Sequence, residues 1–335
     1  MSIIIKNCIS LLPRDCLTSC IELLKAHDKN SAAITGMTGI YKKMVYPKEL
    51  TLDRAYQLLS KEAKKIGANE PDYIFTCTQT PDKAIPPPSF ILINKNNLWR
   101  NDPKGNTDIN TGCTGFVDLI RLTKSIINDE GIKTIYCFTG DILSRIVSKS
   151  DYATNCLLGD LINLTIVEKI PDHMGNEIEF GNFKSFIAKE FDGAIERDLS
   201  TSLKMDGLKV MSFVMQFVIK NLISYIKEIG KLNDLNDYTL ILHQANKMVV
   251  NTINRSVKNI FPKIHCLDFC MENHGNSASS TIPFTITNAV SSGLCTEKVI
   301  ICGYGSGMSM SIGVVYIDLK SFTNNMVINQ NKINK

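Results

Sequence analysis

The 335-residue chain is 44% hydrophobic and 21% charged, which is the composition of an ordinary globular protein, and it is long enough for two domains or one duplicated domain. Its net charge of +4 comes from intermixed basic and acidic residues, which argues against a dedicated nucleic-acid binder and leaves an acidic protein partner open. No apolar run reaches the roughly 18–20 residues that span a bilayer, and eleven cysteines without Cys-x-x-Cys spacing point to free thiols in a reducing, cytoplasmic compartment.

The chain opens on Met1-Ser-Ile-Ile-Ile-Lys6, a short apolar run interrupted by Lys6, Arg14 and Asp15. This predicts a first strand and not a signal peptide. A second strand-like run, Tyr73-Ile-Phe-Thr-Cys-Thr-Gln79, begins after Asp72. The segment 108–116, Asp-Ile-Asn-Thr-Gly-Cys-Thr-Gly-Phe, sets Cys113 among small residues, ahead of a helix with an apolar face at Phe116, Leu119, Ile120 and Ile127. Small neighbours permit a tight strand-to-helix turn that exposes the sulfur, and a helix N-terminus is expected to lower its pKa. A strand over 134–139 follows, and the two parts of the chain join near 165–205. Residues 171–184, which include Pro171, Asp172, His173, Gly175 and Asn176, suit an inserted loop.

In the second half, Tyr238-Thr-Leu-Ile-Leu-His-Gln244 ends a strand on His243, and ligands gather at such strand ends in α/β sheets. The helix behind it has an apolar face, Val249, Ile253, Val257 and Ile260, and a polar, basic one, Lys247, Asn251, Arg255 and Lys258. His265, Cys266, Cys270 and His274 lie close together but match no zinc spacing. Cys266 and Cys270 flank Leu267 and Phe269 in an apolar run, so the cluster reads as structural. Asn276 occupies a Gly-Asn-Ser turn before a helix over Thr281–Val290; alone, that is a helix N-cap. The strand Val299-Ile-Ile-Cys302 leads to the turn Gly303-Tyr-Gly-Ser-Gly307, which alone would suit a phosphate. The Asn/Lys-rich tail after Phe322 reads as frayed.

Two registers repeat between the halves. Asp72 precedes Gln79 by seven positions, as Asp237 precedes Gln244, and Cys113 precedes Gly140 by 27, as Asn276 precedes Gly303. Each longer interval holds an amphipathic helix pattern and then a strand. Alternating strands and helices predict βαβ units and largely parallel sheets. The reading is an α/β protein of two similar halves packed face to face, 1–170 and 171–335.

Cys113, the Leu-His-Gln-Ala-Asn run at 242–246, the His-Gly-Asn-Ser run at 274–277 and the Gly-rich turn, in that order, resemble the β-ketoacyl-acyl-carrier-protein synthase III family of thiolase-like condensing enzymes. The resemblance runs from Thr38-Gly-Ile40 to Gly307. It implies a thiolase-like fold with layered α-β-α-β-α architecture and a catalytic set of Cys113, His243 and Asn276. It also implies an oxyanion hole formed by the backbone N–H groups of Cys113 and Ser306. The implied reaction loads an acyl group on Cys113 and condenses it with a malonyl-type thioester, in fatty-acid, polyketide or other specialised acyl biosynthesis, without metal or redox cofactor. Acyl transfer from Cys113 to an alcohol or amine is the alternative, and a non-catalytic acyl-binding subunit is a third that the intact set argues against. The implied partners are an acyl-carrier protein, docked on Lys247, Arg255 and Lys258, and a second copy of the chain, with the segment around Ile85-Pro-Pro-Pro88 closing the neighbour's acyl pocket. The same basic stripe also suits a merely solvated helix face. No nucleic acid or membrane is implied.

The resemblance breaks at three places. Relatives in primary fatty-acid synthesis have a Trp and an Arg that hold the coenzyme A nucleotide, where this chain has Ala33 and Met37. A Gly-Asp-Gly-Ala-Gly run is replaced by Gly159-Asp-Leu-Ile-Asn163, suggesting altered packing near a subunit contact, and an Arg common in carrier docking by Met248. These departures point to a specialised enzyme with a carrier-protein donor.

Overall fold

The computed structural model describes residues 2–13, 15–27, 29–170, 181–231 and 233–322. Its core is two five-stranded sheets. The first runs in the order β1 (Ser2–Ser10), β7 (Leu161–Ile170), β6 (Thr134–Asp141), β4 (Tyr73–Cys77), β5 (Gly105–Ile109). The second runs β12 (His265–Cys266), β11 (Tyr238–Leu242), β13 (Lys298–Gly305), β14 (Ser309–Tyr316), β8 (Gly181–Ile187). Read from opposite ends, the two orders correspond strand for strand. Two short ribbons, β2 (Leu17–Ser19) with β3 (Lys42–Met44) and β9 (Ile195–Glu196) with β10 (Lys204–Met205), lie outside them.

The sheets are mixed, which corrects the largely parallel expectation. In the first, β4 is parallel to β5 and β6, while β6–β7 and β1–β7 are antiparallel. In the second, β11 is parallel to β12 and β13, while β13–β14 and β14–β8 are antiparallel. In the second sheet the cause is the connection after its central strand, β13. β13 reaches β14 through a hairpin turn, and antiparallel neighbours need no crossover helix. The central strands β6 and β11 are buried along their whole lengths, as both-face coverage requires.

Helices α1 (Cys20–Lys25), α2 (Ser31–Thr38), α3 (Leu52–Lys65), α4 (Pro88–Lys95), α5 (Gly115–Ile126) and α6 (Tyr152–Leu157) precede β8 or flank the first sheet, and α7 (Gly207–Phe213), α8 (Ile219–Gly230), α9 (Lys247–Ile260) and α10 (Thr281–Ser291) follow. α5 packs on β4 and β6 on one side and on β13 and β14 on the other, and α10 packs on β1, β7 and β11. These two helices are the middle layer. α8 and α9 bury Leu222, Ile226, Ile253 and Val257 in the cluster that holds Leu240 and Ile300. The layering is the α-β-α-β-α of a thiolase-like fold.

The predicted loop at 171–184 is shortened: 181–187 is strand β8, because it completes the second sheet against β14. Residues 171–180, and the tail from 323, lie outside the described residues. The helix through α7, a π-turn at Val214–Val218 and α8 spans Gly207–Gly230 and is long and apolar enough to cross a membrane by length and composition. This corrects the expectation that no run is. Its Phe213, Val214, Val218 and Leu222 are buried in the protein core.

Candidate active site

β5 ends at Ile109, and the chain turns through a single 3-10 turn, Gly112–Thr114, into α5. Gly112 has φ +56, and a Cβ there would fall 1.9 Å from Ser306 Oγ. A side chain would therefore push the hairpin turn between β13 and β14 away from Cys113. Gly305 is required on the other side, since its Cβ would lie 2.8 Å from the Cys113 sulfur. Ser306 N–H and the residue's own N–H reach Cys113 Sγ and lower its pKa.

The thiol pKa is nevertheless raised, to about 12. Burial is the main cause, with the buried Asp141 carboxylate adding to it. This corrects the lowered value expected at a helix end: desolvation exceeds what the backbone donors return. Asp141 is held by Gln79 N, Gln79 Nε2, Thr78 Oγ1 and Thr80 Oγ1 at 2.5, 3.1, 2.9 and 3.2 Å, and burial raises its own pKa against those donors.

His243 leaves the end of β11. Its N–H donates to Cys302 O at 2.8 Å, and its carbonyl accepts from Tyr304 Oη at 2.8 Å. The imidazole meets the Tyr304 ring edge-on at 5.3 Å. Its Nδ1 lies 2.7 Å from Thr281 Oγ1, at the start of α10. Burial lowers its pKa to about 3, with a hydrogen bond at the Ala278 backbone pulling weakly the other way. The ring is therefore neutral at physiological pH.

Asn276 is pinned through its backbone. Its N–H donates to Leu157 O at 2.8 Å, and its carbonyl accepts from Gly159 N–H at 2.9 Å. Its Oδ1 accepts from Ala278 N–H at 3.0 Å, which commits the oxygen and leaves the Nδ2 amide protons free to donate. Ala278 adopts φ +50 to make this turn.

Cys113, His243 and Asn276 line one pocket of about 110 Å³, together with Leu157, Met205, Met211, Phe213, Met248, Tyr304 and Met308. His243 comes from the end of β11, Cys113 from the turn after edge strand β5 and Asn276 from the turn before α10, so the three polar groups converge from three separate elements. The lining is otherwise apolar and rich in methionine, an adaptable surface for an aliphatic chain. His274 packs on Phe284 at 4.7 Å and lines no part of it. Among the described residues, no group of three or more His, Cys, Asp or Glu could hold a metal ion.

The other expected sites are placed as follows. Lys247, Arg255 and Lys258 are exposed on α9, whose first turn is capped by Asn246 Oδ1 accepting from Val249 N–H at 2.9 Å. Ala33 and Met37 are exposed on α2, which abuts α9 where Gly39 meets Lys247. Met248 is half-exposed at the pocket. Leu161, Ile162 and Asn163 are buried inside the chain, and Asn163 Nδ2 donates to Ser280 O at 3.0 Å; their bulk ties β7 to the turn before α10. Ile85 is 84% exposed. Sequence reasoning missed Tyr304, Thr281 and Asp141. An aromatic residue inside a Gly-rich turn was a usable signal for the first; the other two give none before folding.

The 3-oxoacyl-(acyl-carrier-protein) synthase III family profile matches residues 107–180. The chain is 25% identical over 313 residues to β-ketoacyl-(acyl-carrier-protein) synthase III of Enterococcus faecalis, covering 89% of this chain and 94% of the relative. It is 26% identical over 308 residues to that of Streptococcus uberis, covering 87% and 92%. Among solved structures, it is similar to a 3-oxoacyl-(acyl-carrier-protein) synthase of Burkholderia xenovorans, with TM-score 0.82, 19% identity and coverage of 98% and 97%. It is also similar to the priming β-ketosynthase of a polyketide biosynthetic pathway, with TM-score 0.77, 17% identity and coverage of 94% and 96%.

Proposed function

We propose that the chain is a β-ketoacyl-(acyl-carrier-protein) synthase III-like condensing enzyme, an acyltransferase in which Cys113 carries the acyl group and His243 and Asn276 serve the condensation; its similarity to that family supports this reading. The observation that carries this reading is the convergence of one thiol, one neutral imidazole and one oriented carboxamide on a single apolar pocket.

In the first half-reaction, the Cys113 sulfur attacks an acyl thioester. The S–H proton leaves with the departing thiol, and an S–acyl bond replaces the old thioester bond. The developing oxyanion faces the N–H groups of Cys113 and Ser306. In the second, a malonyl-type thioester places its carbonyl against His243 and Asn276. The bond to its carboxylate breaks, carbon dioxide leaves, and the electron pair moves into an enolate held by the two side chains. The α-carbon then attacks the acyl group, the C–S bond breaks and the Cys113 thiol is restored. The Cys113 sulfur leaves as a thiolate and takes up one proton from solvent for each carbon dioxide released, while His243, Asn276 and the two backbone N–H groups supply the hydrogen-bond donors.

The proposal extends to partners. Exposed Lys247, Arg255 and Lys258 form a docking face for an acidic acyl-carrier protein, by charge complementarity. β5 is an edge strand on which α4 packs, and Ile85, ahead of α4, and Phe90, within it, are exposed, which suits a homodimer that covers the edge. The reading divides the chain into an N-terminal half, 1–170, that bears the nucleophile and a C-terminal half, 171–335, that bears His243 and Asn276, and the corresponding strand orders of the two sheets support it. We assign the protein to the cytoplasm on its free thiols.

The test is intact-protein mass spectrometry with a panel of acyl-carrier proteins and acyl-coenzyme A species, followed by labelled malonyl thioester. Acyl mass on Cys113 and release of carbon dioxide support condensation. Acyl uptake without release, and discharge to an alcohol or amine, would replace condensation with simple acyl transfer. An adduct on Cys77 or Cys302 that survives Cys113→Ala would end the assignment of the nucleophile.

A further inference from the structure

We infer that Cys20 and Cys156 form a reversible redox site: a peroxide converts the two facing thiols into a disulfide that staples α1 to α6 and, through the carbonyl of Leu157, shifts Asn276. The pair stands on its own geometry, and its effect on catalysis rests on the role proposed above for Asn276.

Cys20 is the first residue of α1, and Cys156 is the last but one of α6. They are 136 residues apart in the chain, and their two helices pack on each other. Cys20 Sγ stands 3.4 Å from Cys156 O, and Cys156 Sγ stands 3.9 Å from Cys20 O. Each sulfur therefore lies over the other residue's main chain, and the two thiols hydrogen-bond to one another. From that contact, rotation of the side chains and a small movement of α6 bring the sulfurs to the ~2.05 Å of an S–S bond.

The surroundings select this pair. Cys20, donating to the Cys156 sulfur, holds the Cys156 thiol below its ordinary value; burial opposes this and the nearby Lys43 ammonium supports it. Lys43 is 2% exposed on β3, and its Nζ donates to Asn155 O and Oδ1 at 2.5 and 2.6 Å. Burial instead pushes Cys77 and Cys113 up to about 12. Oxidation proceeds through the thiolate, so Cys156 reacts ahead of the nucleophile. Cys156 is 4% exposed and Cys20 is fully buried, so local opening of the short α6 admits a small oxidant and not a bulky one.

The chemistry balances. The Cys156 sulfur attacks one peroxide oxygen, the O–O bond breaks, and a sulfenic acid forms while the departing hydroxide takes the thiol's proton as water. The Cys20 sulfur attacks that sulfenic sulfur, the S–O bond breaks, and a second water leaves with the Cys20 proton. Two thiols have lost two electrons and the peroxide has gained them. Exchange with a dithiol reverses the step, as suits a transient disulfide in a reducing compartment.

The link to the pocket is one residue long. Leu157 lines it, and the Leu157 carbonyl accepts from Asn276 N–H at 2.8 Å. Drawing Cys156 towards α1 moves that carbonyl, and Asn276 with it. Cys113 lies off this path, in the turn before α5.

Reduced full-length protein treated with hydrogen peroxide provides the test. Non-reducing peptide mass spectrometry should recover Cys20 and Cys156 cross-linked, with the loss of two hydrogens, in wild type and in Cys113→Ala alike. Closing so long a loop should raise the midpoint of thermal unfolding by about 5 °C, and dithiothreitol should undo the shift. In wild type, carbon dioxide release from malonyl thioester should fall about tenfold, while acyl uptake on Cys113 stays within about twofold. Cys20→Ser and Cys156→Ser should release carbon dioxide equally before and after peroxide. Unlinked Cys20 and Cys156 at a peroxide dose that oxidises Cys113 overturns the site, and cross-linked protein with undiminished release overturns its hold on Asn276. If a serine variant does not fold, wild type before and after dithiothreitol still decides. A complete cross-link in protein that, when reduced, releases no carbon dioxide from any malonyl thioester supports the pair and removes the proposed condensation instead.

Discussion

The high pKa of Cys113 can be tested without knowing the substrate. Burial moves the thiol from its ordinary value of 9.0 to about 12. At pH 8 an ordinary cysteine is about a tenth thiolate, whereas one at about 12 is roughly one part in 10⁴, close to a thousandfold less. Alkylation proceeds through the thiolate, so iodoacetamide should label Cys113 some thousandfold more slowly than a free thiol at that pH. The rate should climb about tenfold per pH unit from pH 8 to about pH 11 and level only near pH 12. The assay is the pH dependence of labelling followed by peptide mass spectrometry, with Cys113→Ala as the blank for the other cysteines. The sign follows from desolvation: burial penalises the charged form, and the Ser306 and Cys113 N–H groups recover only part of that cost. A rate that levels below pH 9 would mean that the backbone donors and the end of α5 outweigh burial, and the account of this thiol would be wrong.

Other outcomes follow from the same geometry. If both serve the enolate as proposed, His243→Ala and Asn276→Ala should keep acyl uptake on Cys113 but lose carbon dioxide release by on the order of 10² or more; normal release in both would favour acyl transfer. Gly305→Ala puts a Cβ 2.8 Å from the Cys113 sulfur and should slow acyl uptake on the order of 10²-fold, while Gly36→Ala, which meets nothing within 4 Å, should leave it unchanged. Lys247→Glu and Arg255→Glu should slow acylation from a carrier protein by about tenfold, and added salt should do the same; acyl-coenzyme A should be the poorer donor, since Ala33 and Met37 provide no stacking ring and no guanidinium. His274, lowered by burial to about 4, stays neutral in the folded chain while the unfolded chain binds a proton below about 6.5. Folding stability should therefore fall as pH drops from 6.5 towards 4, by at most about 1.4 kcal/mol per pH unit for this ring. Urea unfolding of His274→Gln between pH 7 and 5 should show a shallower loss, and an unchanged slope would contradict the burial of that ring.

The sequence by itself determined the α/β class, the buried strands and the three polar groups that the fold brings to one pocket. These are local properties. Continuous apolar runs mark β6, β11 and β13, and repeated spacing marks the equivalent positions of Cys113 and Asn276. A small-residue turn before a helix, or a His at a strand's end, is written in a few adjacent letters. Only the tertiary structure decided the rest. The repeated Gln79 and Gln244 diverge in use: one holds the buried Asp141, the other donates to Leu242 O and accepts from Cys270 N–H. The sheets are mixed, because whether a strand continues through a hairpin or a crossover depends on the partner edge it meets. The Cys113 pKa reversed its expected direction, because desolvation sums over every group packed around the sulfur while a helix end acts over one turn. Thr281 became visible only when α10 brought it 2.7 Å from a histidine 38 residues earlier in the chain. A hydroxyl's role depends on which lone pair stands opposite it, and packing alone sets that distance.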